Sequence, residues 1–120
     1  MDTNNPIIKL CIAGTQAEFN GNMEAACALY QQAWAISTDN YEACIAAHYL
    51  ARCQKAPEDI FHWNQIALER ARTAEHERVE DFYPSLYLNM GRSYESLGNQ
   101  AEAEKYYSLA AELGVTHQME

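Results

Sequence analysis

The sequence of 120 residues predicts an all-α fold, with six helices paired into three antiparallel hairpins. Three observations predict it. Apolar residues recur every three or four positions, no stretch alternates with a period of two for long enough to form a strand, and the turns between helical stretches are short. A chain of this length forms about one domain and buries a core without disulfides or metals.

Start signals define the helices in order. Each proline stands where a helix can begin, because the first turn does not need the missing N–H: Pro6, Pro57 and Pro84. Three further helices follow residues suited to N-caps: Asn22, Asp39 and Asn99. Glu42 is placed for a capping box with Asp39. The predicted helices are 6–20, 23–37, 40–54, 57 to about 75 or 80, 84–97 and 100–113.

Charge and composition exclude several classes of protein. Seventeen acidic and eight basic residues give a net charge of −9, which disfavours nucleic acids and anionic membranes as partners. No apolar run approaches the roughly 20 residues of a membrane-spanning helix. The N-terminus lacks the basic start of a signal peptide, so we expect a cytoplasmic protein with free thiols.

An internal repeat appears when the sequence is shifted by 77 residues against itself. Seven identities fall in one ungapped register: Gly14/Gly91, Glu18/Glu95, Gly21/Gly98, Asn22/Asn99, Ala26/Ala103, Tyr30/Tyr107 and Ala33/Ala110. The small residues at these positions allow two helices to approach closely. Such self-similarity is typical of proteins built from stacked repeats.

The pattern resembles the tetratricopeptide repeat, a helical hairpin with Leu-Gly-x2-Tyr in its first helix and Ala-x3-Phe in its second. The third unit fits with Tyr87, Met90, Gly91, Tyr94, Ala103, Tyr107 and Ala110. The first unit fits with Leu10, Ala13, Gly14, Ala26, Tyr30 and Ala33, and departs at Ala17, where an aromatic residue is usual. The middle unit lacks the glycine and fits with Ala43, Ala46, Ala47 and Leu50.

The resemblance implies an α-solenoid, a right-handed superhelix of three repeats in a single domain 1–120. The repeats span about 7–40, 41–83 and 84–117, the middle one divergent and elongated. Two regular steps of 34 residues are about nine residues shorter than the observed offset of 77. We place the extra residues of the middle repeat in 73–82. The charged residues there most simply form a solvated helix end, although a regulatory or partner-binding insert is an alternative.

Members of this family are implied to be non-catalytic scaffolds without cofactors, which bind a protein or peptide on a concave surface. The family's concave positions carry over to Thr15, Tyr49, Arg52, Leu88, Asn89 and Arg92 as the main candidates. Further concave positions, those of the middle unit depending on its register, are Ile8, Cys11, Ile12, Glu18, Tyr41, Cys44, Ile45, His48, Ser85 and Glu95. The clamp that binds chaperone C-termini needs Lys, Asn, Lys and Arg where this sequence has Cys11, Thr15, Ser85 and Asn89, so that subtype is rejected.

Three alternatives remain. The last helix is followed by too few residues for a covering helix, so Tyr106, Leu109 and Leu113 are candidates for a self-association face that forms a homodimer. Cys44, His48 and Cys53 lie within ten residues and are a weaker candidate for a metal site. An enzyme is disfavoured, because the sequence contains no phosphate loop, nucleophile elbow or metalloprotease motif.

Overall fold

In the computed structural model, which describes residues 3–114, all regular secondary structure is helical. The six long helices are α1 (Pro6–Phe19), α2 (Met23–Ile36), α3 (Asn40–Ala51), α4 (Pro57–Thr73), α6 (Tyr83–Ser96) and α7 (Gln100–Glu112). A single turn, α5 (His76–Val79), and a 3-10 turn, Glu80–Phe82, lie between α4 and α6. The all-α prediction with six helices is confirmed. None of the helices in 3–114 combines the length and the apolar character needed to cross a bilayer.

Polar side chains cap the helices where the sequence predicts them. Asn22, Asp39 and Asn99 each accept a hydrogen bond from a backbone N–H in the first turn of the following helix. The capping box predicted at Asp39 forms only in part. The Glu42 carboxylate accepts hydrogen bonds from the backbone N–H and the hydroxyl of Thr38, at 2.8 and 3.0 Å, rather than from the N–H of Asp39.

Each outer hairpin brings a glycine against a tyrosine ring. Gly14 of α1 lies against Tyr30 of α2, and Gly91 of α6 lies against Tyr107 of α7. A β-carbon on Gly91 would lie 2.7 Å from the Tyr107 ring, well inside van der Waals contact. The two glycines therefore occupy matching environments, as the internal repeat predicts.

The hairpins stack in chain order. α3 packs against both α1 and α2, and α6 packs against α4. The helices of the middle hairpin approach each other through small side chains, all of them buried: Ala43, Ala46, Ala47, Ala67 and Ala71. A buried hydrogen bond of 3.0 Å, from Nδ2 of Asn64 to Oγ of Ser93, joins α4 to α6. The hand of the superhelix stays a prediction.

The segment 74–82 packs onto α3 and is not a continuation of α4. Val79 is completely buried, and the ring of Phe82 stacks on that of Tyr41 with centroids 6.0 Å apart. The Arg78 guanidinium lies 3.8 Å from the centroid of the Tyr41 ring, and its Nη1 lies 3.5 Å from Oδ2 of Asp39. The charged side chains of the segment are exposed, as predicted, but they do not form the end of α4, which stops at Thr73, and Val79 contributes to the core.

Candidate functional site

The first helices of the three hairpins form one surface, called here the α1–α3–α6 face. α1 packs beside α3, and Nδ1 of His48 on α3 lies 3.4 Å from Nδ2 of Asn89 on α6. Five of the six main candidates reach the surface at least in part: Thr15, Tyr49, Arg52, Asn89 and Arg92. The sixth, Leu88, is only 4% exposed. This corrects the prediction for Leu88, because its side chain packs into the interior of the protein.

Arg52 forms an ion pair with Glu18 that ties α3 to α1. Nη2 of Arg52 lies 3.1 Å from Oε1 of Glu18, and Nε lies 3.1 Å from Oε2. Glu18 also accepts a hydrogen bond from the Tyr30 hydroxyl. Burial acts to raise the pKa of Glu18, but the hydrogen bonds from Arg52 and Tyr30 outweigh it and hold the pKa below its ordinary value. Arg52 therefore serves first to join two hairpins.

The sequence contains a signal for this ion pair that we did not use. Glu18 and Arg52 are 34 residues apart, which is one period of the repeat. Residues separated by one period occupy equivalent positions on neighbouring hairpins. A search for opposite charges at this separation would have found the pair.

A pocket of about 140 Å³ opens between α3 and the start of α6. Its lining residues are Cys44, Ile45, His48, Tyr49, Asp81, Phe82, Ser85 and Leu86. Cys44, Ile45 and Leu86 are buried and form the base, whereas Asp81 and Ser85 are exposed and form the rim. The pocket thus has an apolar interior and a polar edge, as is typical of ligand-binding cavities.

His48 is one of the titratable residues that line this pocket. Burial, together with the positive charge of Arg52, lowers the pKa of His48 below its ordinary value. A neutral ring can accept a hydrogen bond at Nδ1, where the Asn89 amide approaches. Burial also raises the pKa of the neighbouring Cys44 thiol to about 12, so this thiol is protonated at neutral pH and is a poor nucleophile.

A second pocket of about 170 Å³ lies between the first half of α4 and the second half of α6. It is lined by Pro57, Ile60, Asn64, Asn89, Arg92, Ser93 and Ser96. Asn89 therefore lies between the two pockets, within hydrogen-bonding reach of His48 on one side and beside Arg92 on the other. Asparagine and arginine side chains supply donors for peptide carbonyl and carboxylate groups.

The proposed self-association face is only partly open. Tyr106 is 9% exposed, because its ring stacks on Tyr94 with centroids 5.6 Å apart and lies 6.1 Å from the ring of Tyr87. Tyr106 therefore offers little surface to a second copy of the chain. Leu109 is half-buried and Leu113 is 51% exposed, and both line a groove of about 380 Å³ with residues of α4, α5 and α6.

The metal-site alternative finds no support in the geometry. Within 3–114, no three His, Cys, Asp or Glu side chains lie close enough together to hold a metal ion. Cys53 lies near Cys27, whereas Cys44 lines the pocket on α3. All four cysteines are free thiols.

Sequence reasoning missed the wall of the α3–α6 pocket. Asp81 and Phe82 come from the segment 74–82, and Leu86 follows in the first turns of α6. The family pattern could not place residues that are extra to it. The available signal was Phe82, an aromatic residue in an otherwise charged stretch and directly before a helix of the face.

A comparison with known protein families gives a match for the third hairpin. Residues 84–113 match the family described as Tetratricopeptide repeat. The match spans α6 from its second residue and all of α7, and the six long helices agree with repeats of this kind. No curated protein and no solved structure matches the chain significantly.

Proposed function

Because residues 84–113 match the tetratricopeptide repeat family, we propose that the chain is a non-catalytic module that binds an extended peptide or protein segment across the α1–α3–α6 face. Repeats of this family generally serve in protein–protein interaction. We include the two preceding hairpins as repeats, at about 7–40 and 41–83, with the third at about 84–117. The first hairpin shares its glycine–tyrosine contact with the third, and this supports its assignment as a repeat.

The observation that carries the proposal is the pair of pockets on either side of Asn89. An extended chain advances about 3.3 Å per residue and directs alternate side chains to opposite sides. One side chain can therefore enter the apolar pocket on α3 while the main chain lies over Asn89. The Arg92 guanidinium then donates to a backbone carbonyl or to an acidic group of the bound segment.

Nuclear magnetic resonance tests this proposal directly. A phage-displayed library of random dodecapeptides is selected on the full chain, and a selected peptide is titrated into ¹⁵N-labelled protein. We expect amide shifts concentrated on α1, α3 and α6, and weaker binding by Arg92→Glu. The matched control is Lys105→Glu on α7, which makes the same charge change on an exposed site away from the face. Shifts concentrated on α7, or equal losses in both variants, contradict the proposal.

A second candidate function is self-association through α7. It is favoured by Leu113, whose side chain is 51% exposed beside the groove that it shares with Leu109. Exposed apolar side chains bordering a groove are typical of surfaces that bind another protein. On this alternative, the occupant is a second copy of the chain.

A further inference from the structure

The two gaps between successive helices of the α1–α3–α6 face differ. α1 and α3 pack directly and are tied by the pair of Arg52 with Glu18, and the ring of Tyr30 on α2 stacks on that of Tyr49 with centroids 5.2 Å apart. Only residues 37–39 separate the first hairpin from the second, whereas residues 74–82 separate the second from the third. The longer connection accompanies an open pocket between α3 and α6, where the first gap is filled by side chains.

The segment 74–82 forms a fixed wall of this pocket. Val79 anchors it in the core with no exposed surface, and Phe82 stacks on Tyr41 of α3. The Arg78 guanidinium lies 3.8 Å from the centroid of the same Tyr41 ring and pairs with Asp39, which directly precedes α3. Because apolar, cation–π and ionic contacts all hold the segment to α3, the pocket exists before any ligand binds.

The dimensions and charges of the pocket define its occupant. A volume of about 140 Å³ accommodates one side chain of the size of Leu, Met or Phe, but not a helix. At the rim, Asp81 makes no hydrogen bond or ion pair with any residue in 3–114.

The basic groups around the pocket are already engaged. The two arginines nearest to it along the chain are each paired with another acid: Arg52, which follows α3, with Glu18, and Arg78 of the segment with Asp39. His48 contacts the Asn89 amide and not an acid. The negative charge at the rim is therefore uncompensated, in a chain with a net charge of −9.

We propose that the segment 74–82 makes the α3–α6 gap a specificity pocket for one large apolar side chain of a partner peptide, with a basic residue close to it in the peptide pairing with Asp81. This inference rests on the proposed function and adds the chemistry of the ligand. It assigns a role in recognition to the residues that the repeat pattern leaves over. The partner is an extended segment with a Leu, Met, Ile or Phe next to Lys or Arg.

Peptide selection with matched variants tests the inference. Dodecapeptides selected from the random phage library on the full chain should share an apolar residue with Lys or Arg within about three positions. In a labelled synthetic copy, replacing the apolar residue with Ala should weaken binding about tenfold or more, measured by fluorescence anisotropy. Ser85→Trp, which fills the pocket from its exposed rim, should cause a similar loss, and Ser108→Trp on the exposed side of α7 should cause none.

Reversing the charge of Asp81 and of the peptide's basic residue tests whether the two pair, because a purely structural role of Asp81 would not change which peptide binds better. Asp81→Lys should weaken the selected peptide and strengthen a copy whose basic residue is changed to Glu, whereas the control Glu69→Lys on α4 should change neither. If Ser85→Trp and the peptide's Ala replacement leave affinity unchanged while Arg92→Glu weakens it, the pocket inference is overturned and the proposed function stands. If no peptide binds the wild-type chain, both are overturned.

Discussion

The hydroxyl of Tyr107 lies 2.6 Å from Oε1 of Glu95, and the Tyr30 hydroxyl donates to Glu18 in the same way. Each bond joins the second helix of an outer hairpin to the first. The internal repeat therefore preserves a polar tie as well as the spacing of apolar residues. The two ties differ in one respect, since Glu18 also pairs with Arg52 of the next hairpin.

Gly14→Ala should destabilise the protein. A β-carbon at this position would collide with the Tyr30 ring, which is completely buried and cannot turn away. Overpacking of this kind costs about 1–3 kcal/mol, more than the gain of about 1 kcal/mol that alanine gives an exposed helix position. Gly91→Ala should cost less, because the half-buried Tyr107 ring has room to move. Urea unfolding followed by circular dichroism measures both, and a Gly14→Ala protein as stable as wild type would refute the contact.

Glu18 should make stability depend on pH in the acidic range. The pKa of Glu18 is lowered in the folded protein, so its contribution is present above the ordinary value of 4.5 and is lost as pH falls through the folded value. Because Arg52 is half-exposed, we expect at most about 1 kcal/mol. Urea unfolding between about pH 3 and 6 should show a steeper acid loss in wild type than in Glu18→Gln. Glu69→Gln, on the exposed side of α4, is the control and should follow wild type. Parallel curves for wild type and Glu18→Gln would disprove the assignment.

His48 should titrate below the ordinary histidine value, because burial and the charge of Arg52 both disfavour the imidazolium. The unfolded chain binds the proton more readily, so stability is fully present above pH 6.5 and declines as pH falls through the folded pKa. Following the ring protons of His48 by magnetic resonance gives its pKa directly. The His48→Gln variant should lose this part of the pH dependence. The control His62→Gln, at an exposed position of α4, should keep it. A His48 midpoint at or above 6.5 would be inconsistent with the structure.

If α7 mediates self-association, Leu113→Glu should abolish it. The side chain is 51% exposed, so the charge is placed at the surface without disturbing the core. Sedimentation velocity at increasing concentration should show wild type moving toward a dimer and Leu113→Glu staying a monomer. Ser108→Glu adds the same charge elsewhere on α7 and should behave as wild type. A wild-type chain that remains monomeric at every concentration eliminates this alternative.

Local signals in the sequence were sufficient for most of the fold. Caps and prolines act within one turn of a helix, so they placed the starts of all six long helices within one residue, although the short helix α5 was not predicted. Helix ends were harder, because α3 stops at Ala51 without a proline or glycine beside it. Side-chain burial was harder still. Leu88 and Tyr106 lie at positions that the repeat pattern leaves open, yet their neighbours in space cover them.

The candidate site depended on contacts between distant parts of the chain. The repeat pattern identified the face and most of its residues, including Tyr49 and Asn89. The pairing of Arg52 could have been found from its separation from Glu18 by one repeat period. The repeat pattern could not show that Phe82 lines a pocket, because this depends on how far apart neighbouring hairpins lie.

The sequence by itself determined the helices, their pairing into hairpins and the close approach at Gly14 and Gly91, since these follow from periodicity and residue size over short distances. The tertiary structure alone decided where the segment 74–82 lies and what it encloses. Its packing depends on the contact of Phe82 with Tyr41, which is governed by the stacking of whole hairpins and leaves no period in the sequence.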